Sequence, residues 1–199
     1  MAIAFDESDY AETTSSATSV AVTGVIHDAG DLLVALASVF NTSGTTMTVS
    51  DPTNGTYSVA GEMHSAADAN GQVHIQYFQN AAGGTVTVTF DPTGASSDID
   101  AVVAEISGAA SASVFDVYVE SEGAAVASST YTATVSTGTL AQANNIIIGI
   151  MSHSMSTHAL AAGAGRTQIA EDEDNASSQA FNAQYQIVAS TSSVGFAWA

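Results

Sequence analysis

A two-residue alternation between apolar and polar side chains recurs along most of the chain. It is clear in Ser19–Ile26 (SVAVTGVI), Val73–Phe78 (VHIQYF) and Thr85–Phe90 (TVTVTF), which are rich in β-branched and aromatic residues. This period places successive side chains on opposite faces of an extended strand. No window carries a 3.6-residue apolar stripe over three helical turns. The alternation therefore predicts an all-β chain whose strands have one face in water.

Uniform apolar runs and turn sequences predict how these strands are arranged. The runs Leu32–Phe40 (LLVALASVF), Ala101–Ile106 (AVVAEI) and Asn145–Met151 (NIIIGIM) do not alternate, which is typical of strands buried on both faces or inside a sandwich. Turn sequences such as Asp51-Pro-Thr-Asn-Gly and Asp91-Pro-Thr-Gly separate the strands. We predict an antiparallel, jelly-roll-like β-sandwich of about a dozen strands.

The length of the chain suits one domain. A β-sandwich of 199 residues commonly forms a single core, so we predict one domain over residues 1–199. The runs Val114–Val119 (VFDVYV) and Val194–Trp198 (VGFAW) continue the strand pattern, and Ser107–Ser113 (SGAASAS) is a candidate crossover between two halves. The first residues lack a basic region and a sustained apolar stretch, so we expect no secretory signal. Cysteine is absent, which excludes disulfides and thiolate metal sites within the chain.

The charge balance limits the partners of this protein. The chain has 20 acidic residues and a net charge of −19, and Arg166 is its only Lys or Arg. A basic stripe that neutralises phosphates cannot be assembled, so we expect binding neither to nucleic acid nor to an anionic membrane surface. The apolar run Ile146–Met151 is far shorter than the roughly 20 residues of a spanning helix. Arg166 is expected to pair with a carboxylate or with carbonyl groups.

An acidic run supplies the sharpest candidate for a metal site. Glu171–Asp174 is followed by Asn175, and clustered carboxylate and amide oxygens are the ligands that calcium prefers. We take Asp172 and Asp174 as candidate calcium ligands; no other cofactor is expected. The run lacks the spacing of a dedicated calcium loop, so a solvated turn is the alternative. Two weaker acidic pairs are Asp98 with Asp100 and Asp28 with Asp31.

Catalytic patterns are lacking in the sequence. It contains no Gly-x-Ser-x-Gly elbow, and the five-residue spacing of His153 and His158 misses the geometry of a helical zinc pair. A glycosidase acting on host polysaccharide would need two carboxylates across a cleft, for which Glu62 and Glu105 are the pair considered. We therefore predict no catalytic residue and expect the protein not to be an enzyme.

Several segments carry a family resemblance. The stretch GDLLVALASVF, the stretch VHIQYFQNAAGGTVTVTFDPTG from Val73 and the later AVVAEISGA follow one another in the chain. In this order they resemble an apolar strand, an aromatic strand, a short Ala/Gly turn, an alternating Thr/Val strand and a buried strand of the jelly-roll-like β-sandwich modules of phage virion proteins. The resemblance implies a structural or binding module, and it carries no catalytic residues.

These observations lead to two functional hypotheses. The first is an outer capsid decoration (cement) subunit that is assembled in the host cytoplasm and coats the virion surface. It would dock on major capsid or other virion proteins as a homo-oligomer, with a trimer favoured. The second is a receptor- or glycan-binding module of a tail fibre or cell-surface protein. Its stacking platform would come from Tyr10, Tyr57, Tyr118 or Tyr131.

Overall fold

The computed structural model describes residues 2–13, 17–40, 46–65, 71–94, 98–121, 134–153, 160–174 and 179–198. These residues form fourteen strands: β1 (Ala4–Thr13), β2 (Val20–His27), β3 (Leu32–Phe40), β4 (Met47–Asp51), β5 (Gly55–Thr56), β6 (Ser58–His64), β7 (Gly71–Phe78), β8 (Gly84–Pro92), β9 (Asp98–Ser107), β10 (Thr134–Ser136), β11 (Asn145–His153), β12 (Thr167–Asp174), β13 (Gln179–Val188) and β14 (Gly195–Ala197). Within this part of the chain no helix is present that could cross a membrane. The predicted all-β class is confirmed.

The first nine strands pair in a nested order. Strand β1 pairs with β9, β2 with β8, β3 with β7, and β4 with β5, and every pairing is antiparallel. This nesting arises when one long two-stranded ribbon wraps into two layers, which is the topology of a jelly roll. The resulting sheets have the orders β1-β9-β3-β7-β6 and β2-β8-β4-β5. The predicted jelly-roll-like sandwich is therefore confirmed, with β6 added at one edge.

The alternating strands fill the space between these two sheets. On β8, Val86, Val88 and Phe90 are buried, whereas the threonines between them face outward and are half-buried. They pack against inward-facing side chains of the five-stranded sheet such as Leu33 and Val103. Burying side chains of this size contributes about 1.5–3 kcal/mol each before ordering costs are subtracted. The two-residue alternation in the sequence thus identifies the side chains that face the inside of this sandwich.

A second layer covers the opposite face of the five-stranded sheet. Leu36, Val102 and Ile106 pack there against Phe181 and Ala183 of β13, the central strand of a sheet with the order β11-β13-β12. Strands β3 and β9 are consequently buried on both faces, as their uniform apolar runs predicted. Strand β11 also packs on both faces, but it lies at a sheet edge and is mostly half-buried, so the prediction holds only in part there.

A short ribbon of β10 and β14 packs next to the three-stranded sheet. Phe196 and Trp198 are buried there with Met151 and other apolar residues. The guanidinium carbon of Arg166 lies 5.3 Å from the centroid of the Phe196 ring. The Arg166 Nη1 atom donates a hydrogen bond of 2.6 Å to the carbonyl of Ala164. Of the two expected partners of Arg166, the structure shows a carbonyl group.

The segment between the two halves differs from the sequence prediction in one respect. Strand β9 ends at Ser107, and residues 108–113 contain no strand, as expected for a connection. The strand predicted over Val114–Val119 is wrong, because this segment is not paired with any described strand. Val114 joins the cluster between the layers and Phe115 stacks on Tyr77, but Phe115 and Val117 are exposed. The expectation of one domain over residues 1–199 stays a prediction.

Candidate functional site

Two groups of converging carboxylates are the main polar features of the described residues. The end cluster consists of Asp6, Asp31 and Glu105, and the interlayer cluster consists of Glu12, Asp100 and Asp172. In each group, one carboxylate oxygen from every member lies within 4.8 Å of the others. Like charges at this spacing repel strongly unless a proton or a cation lies between them.

The interlayer cluster joins the five-stranded sheet to β12. Asp100 lies directly opposite Glu12 in the β1–β9 register, and Asp172 reaches them from the facing sheet. The Tyr10 hydroxyl lies 3.0 Å from Glu12 Oε2 and 3.0 Å from Asp100 Oδ1, so it can donate to either oxygen. Asp100 is only 5% exposed. The Oδ2 atom of Asp172 is buried and has no hydrogen-bond partner within the part of the chain that the structure describes.

Electrostatics in this cluster favour retention of a proton. Burial raises the pKa of Asp100 to about 8, the hydrogen bond from Tyr10 opposes this rise, and the neighbouring Asp172 and Glu12 add to it. Burial also raises the pKa of the Tyr10 hydroxyl, with Asp100 and Asp172 contributing. The raised pKa of Asp100 therefore favours its protonated form at neutral pH. A protonated carboxyl can donate a hydrogen bond to the neighbouring carboxylate of Asp172.

The structure places the two predicted calcium ligands on one strand. Asp172 and Asp174 lie on β12, opposite Phe181 and Gln179 of β13. Asp172 belongs to the interlayer cluster, whereas the side chain of Asp174 lies outside what the structure describes, as does Asn175. The calcium prediction for Asp172 and Asp174 stays a prediction. No local sequence pattern links Asp172 to Glu12 and Asp100, because the three residues lie on strands far apart in the chain.

The end cluster lies at one end of the jelly-roll sandwich. Asp6 is on β1, Asp31 immediately precedes β3, and Glu105 is on β9. The Ser107 amide donates to Asp6 Oδ2 at 2.8 Å, and the Asp28 amide donates to Glu105 Oε1 at 2.6 Å. Burial raises the pKa of Glu105 to about 7; the Asp28 amide opposes this rise, and Asp31 adds to it. The sequence prediction paired Asp28 with Asp31 but did not associate Asp31 with Glu105.

A cleft of about 230 Å³ opens beside the end cluster. It is lined by Asp6, Glu7, Ile26, His27, Asp28 and Glu105. His27 is only 2% exposed, and its Nε2 atom lies 3.4 Å from Asn54 Nδ2. The cleft thus combines carboxylate acceptors with one buried imidazole.

The glycosidase pairing of Glu62 and Glu105 does not match the structure. Glu62 is on β6 and Glu105 is on β9, and β7 and β3 lie between them. Three strand spacings and an offset of four residues along the strands separate their backbones by about 19 Å, beyond the roughly 9.5 Å upper limit for paired glycosidase carboxylates. Glu62 Oε2 instead lies 3.6 Å from Nδ1 of His74. Burial, aided by the neighbouring His64, lowers the pKa of the His74 imidazole to about 4.

The remaining predicted candidates divide between packing roles and undescribed positions. Tyr57 is 3% exposed and lies in the core. Tyr10 stacks on Phe181 at 6.4 Å between ring centroids, and the Tyr118 ring lies so close to Gly61 that a Cβ atom there would overlap it. Tyr131 and His158 lie outside the described residues. The three described tyrosines therefore do not form one exposed stacking platform.

Comparisons with known proteins add little to this geometry. No family model matches the chain, and no curated protein matches it. Among solved structures, a Bacillus licheniformis lipase, BlEst2 in its propeptide form, is similar at 17% identity with a TM-score of 0.32. The similarity covers 49% of this chain and 22% of the lipase chain. A similarity of this size supports neither a family nor a function.

Proposed function

We propose that this chain is a non-enzymatic structural subunit of a virus particle, an outer capsid decoration (cement) protein. The observation that carries the proposal is the nested strand order of a jelly roll. Viral capsid and lectin domains repeatedly use this double-sheet architecture. Glu62 and Glu105, the pair that the sequence suggested for sugar hydrolysis, lie about 19 Å apart, which supports a role without catalysis.

The charge distribution supports an outward-facing position. The long edge strand β1 carries Asp6, Glu7, Asp9 and Glu12, while the only strong cation of the chain, Arg166, lies over the Phe196 ring. Surfaces of this kind are repelled by packaged nucleic acid and are well hydrated. The proposal therefore places the subunit on the outside of the shell, where its acidic strands face water.

The three-stranded sheet offers an edge for contacts with neighbouring subunits. Strand β12 carries four acidic residues along one edge, whereas β11 forms the other edge and carries no acid. Strand addition at a sheet edge is a common mode of association, and acidic edges disfavour it between copies of an acidic chain. We infer that β11 is the edge used for contact with a second copy or a major capsid protein. Symmetric positions on a shell favour a trimer.

Imaging of particles from the source organism tests this function directly. Cryo-electron microscopy should show jelly-roll density on the outside of the shell at symmetric positions, and purified chain should rebind particles from which that density has been stripped. Particles that lack the chain, or that carry it inside the shell, would overturn the proposal.

Receptor or glycan binding by a tail fibre or cell-surface module is the alternative. A glycan array with the purified chain separates the two functions. Specific retention on one class of glycan would favour the alternative, whereas uniform lack of retention together with particle rebinding would support the cement function.

A further inference from the structure

Two histidines and one glutamate lie together on the paired strands β6 and β7. Glu62 and His64 are two residues apart on β6, and His74 lies directly opposite Glu62 on β7. Residues two apart on a strand share a face of the sheet, as do directly opposite residues of an antiparallel pair. Ala37 of β3, opposite His74 on the other side, belongs to the core between the sandwich sheets. The three side chains therefore lie on the inner face of the sandwich, at its β6 edge.

The imidazole of His74 has one nitrogen with a hydrogen-bond partner and one without. His74 is 1% exposed, and its Nδ1 atom is buried with no hydrogen-bond partner in the part of the chain that the structure describes. Its Nε2 atom lies 3.4 Å from Oε1 of Gln72. Because an amide oxygen can only accept, Nε2 carries the ring proton and Nδ1 presents a lone pair. Histidines that bind a metal are typically held in this way, with the other ring N–H donated to a carbonyl or carboxylate.

The lone pair of His74 Nδ1 faces a carboxylate. The distance from Nδ1 to Glu62 Oε2 is 3.6 Å. Burial, aided by the neighbouring His64, lowers the pKa of His74 to about 4, so the imidazole is neutral at neutral pH and the contact is not an ion pair. Two acceptors at this distance attract each other only when a proton or a metal ion lies between them. Arg166, the only Lys or Arg of the chain, lies over the Phe196 ring beside the three-stranded sheet and supplies no charge here.

The distances among the three side chains fit a zinc ion. Zinc binds imidazole nitrogen and carboxylate oxygen at 2.0–2.2 Å in tetrahedral geometry, so two of its ligand atoms lie about 3.4 Å apart. The 3.6 Å between His74 Nδ1 and Glu62 Oε2 is close to this value. The ring centroids of His64 and His74 are 6.0 Å apart, and two imidazoles on one zinc have centroids roughly 5 to 6 Å apart.

One side chain has to turn for the site to close. As the rings stand, no nitrogen of His64 comes within 4.8 Å of both other ligand atoms. His64 is half-buried at the end of β6, an edge strand, and the terminal torsion of a histidine has a broad range of allowed values. The Glu62 side chain is 40% exposed, so an ion can enter from solvent. His74 and Glu62 thus form the fixed part of the site, and His64 completes it.

We propose that Glu62, His64 and His74 bind one zinc ion at the β6 edge of the sandwich. Two imidazoles and one carboxylate suit zinc, whereas calcium and magnesium prefer oxygen ligands alone. Three protein ligands leave the fourth tetrahedral position to a water molecule. Among the described strands β6 pairs only with β7, so the ion fastens an edge strand to its neighbour through side chains as well as through the backbone. The free energy of metal binding then adds to the stability of this edge.

Calorimetric titration of the chelator-treated full chain with ZnCl₂ at neutral pH tests the site. We expect one zinc ion per chain, no displacement by excess CaCl₂, and a Tm that rises by about 5–10 °C at zinc one hundred times its Kd. Glu62→Gln and His64→Gln change partly exposed side chains and should each weaken zinc binding at least about tenfold, since even residues that only support a ligand contribute that much. In ¹⁵N NMR of the histidine side chains, zinc should shift Nδ1 of His74 while Nε2 keeps its proton.

Matched variants elsewhere in the chain serve as controls. Glu7→Gln on β1 and His153→Gln on β11 make the same chemical changes away from β6 and should leave the zinc affinity unchanged. Absence of zinc binding by the folded chain would overturn the proposal and would leave a proton as the link between Glu62 and His74. Unchanged affinity in either Glu62→Gln or His64→Gln would also overturn it, as would a zinc-induced shift at Nε2 of His74 in place of Nδ1.

Discussion

Asp100 is a nearly buried carboxyl whose protonation affects the stability of the fold. Its pKa in the folded protein is about 8, well above the ordinary value of 3.8. The native state therefore binds more protons than the unfolded state between these two values. By linkage, the free energy of unfolding falls as pH rises through this window. The loss of stability caused by ionising the buried Asp100 carboxyl is absent below about pH 4 and complete only above about pH 8.

We expect Asp100→Asn to stabilise the protein at high pH. An asparagine keeps an oxygen that accepts from Tyr10, and its amide can donate to the unpartnered Oδ2 of Asp172. At pH 9 the free energy of unfolding should rise by about 2 kcal/mol, less than the full value implied by 1.36 kcal/mol per pKa unit because Glu12 and Asp172 share the charge. Urea unfolding at pH 5 and pH 9 measures the difference. Asp91→Asn, at an exposed position, is the control, and equal effects at both pH values would contradict the expectation.

Gly149 is required by close packing within β11. A Cβ atom at this position would lie 2.6 Å from Cδ1 of Phe196 and 3.1 Å from Cζ2 of Trp198. Gly149→Ala should therefore lower the free energy of unfolding by about 1–3 kcal/mol, the usual cost of overpacking. Gly195→Ala is the matched control, because the nearest atom to its Cβ would be 4.0 Å away. Chemical denaturation of both variants checks this difference, and equal losses would show that packing against Phe196 is not the cause.

At the level of strands, the sequence predicted an element correctly where its side chains are either buried at every second position or buried throughout. The alternation in β8 and the uniform runs of β3 and β9 each correspond to strands with the expected burial. The run Val114–Val119 is rich in β-branched and aromatic residues but forms no strand. Phe115 stacks on Tyr77, yet Phe115 and Val117 are 43% and 40% exposed. Composition typical of a strand therefore establishes neither a pairing partner for the backbone nor burial of the side chains.

The carboxylate clusters could be predicted from the sequence only in part. Asp172 stood out because it lies in an acidic run, and Asp31 because it follows a turn. Asp100 was named only in a weak pair with Asp98, and Glu105 only with Glu62. These two residues and Glu12 reach the clusters through strand pairing and layer packing. A contact between residues so distant in the chain leaves no local pattern. The clusters therefore depended on topology, which a single sequence does not specify.

The connection between β4 and β5 depends on one aspartate. Asp51 Oδ1 accepts the amides of Thr53 and Asn54, and Asp51 Oδ2 accepts the Tyr57 hydroxyl and the Asn54 side-chain amide. Asn54 in turn accepts the Ala82 amide, which ties this turn to the β7–β8 connection. Asp51 thus holds two connections of the sandwich together at the end where His27 lies.

Asp51→Ala should consequently destabilise the fold. It removes a charged acceptor that is buried and leaves the Tyr57 hydroxyl without its partner, for an expected loss of about 3 kcal/mol in the free energy of unfolding. The second Asp-Pro-Thr sequence provides the control, since Asp91 is exposed and Asp91→Ala should change stability by no more than about 0.5 kcal/mol. Thermal and urea unfolding measure both. Similar losses for the two variants would show that the motif, rather than the buried network, is responsible.

Across the whole molecule, the five-stranded sheet is the layer that both halves of the chain share. The four-stranded sheet covers one of its faces, and the three-stranded sheet covers the other. Neither β3 nor β9 could remain apolar on both faces without both coverings, because a large exposed apolar face is unfavourable in water. The packing between layers therefore predicts that the two halves unfold together, which is the physical content of a single domain.

Phe181→Ala tests this coupling at the interface between the layers. Phe181 is fully buried against the five-stranded sheet, and its truncation should cost about 3–5 kcal/mol. If the layers unfold as one unit, hydrogen-exchange protection should fall by the same free energy in β8 of the sandwich as in β13. Val22→Ala, within the sandwich core and remote from this interface, is the reciprocal control and should lower protection in β13 as well. A Phe181→Ala variant that loses protection in β13 while β8 keeps it would show two independent domains, because the sandwich would then be stable without the covering sheet.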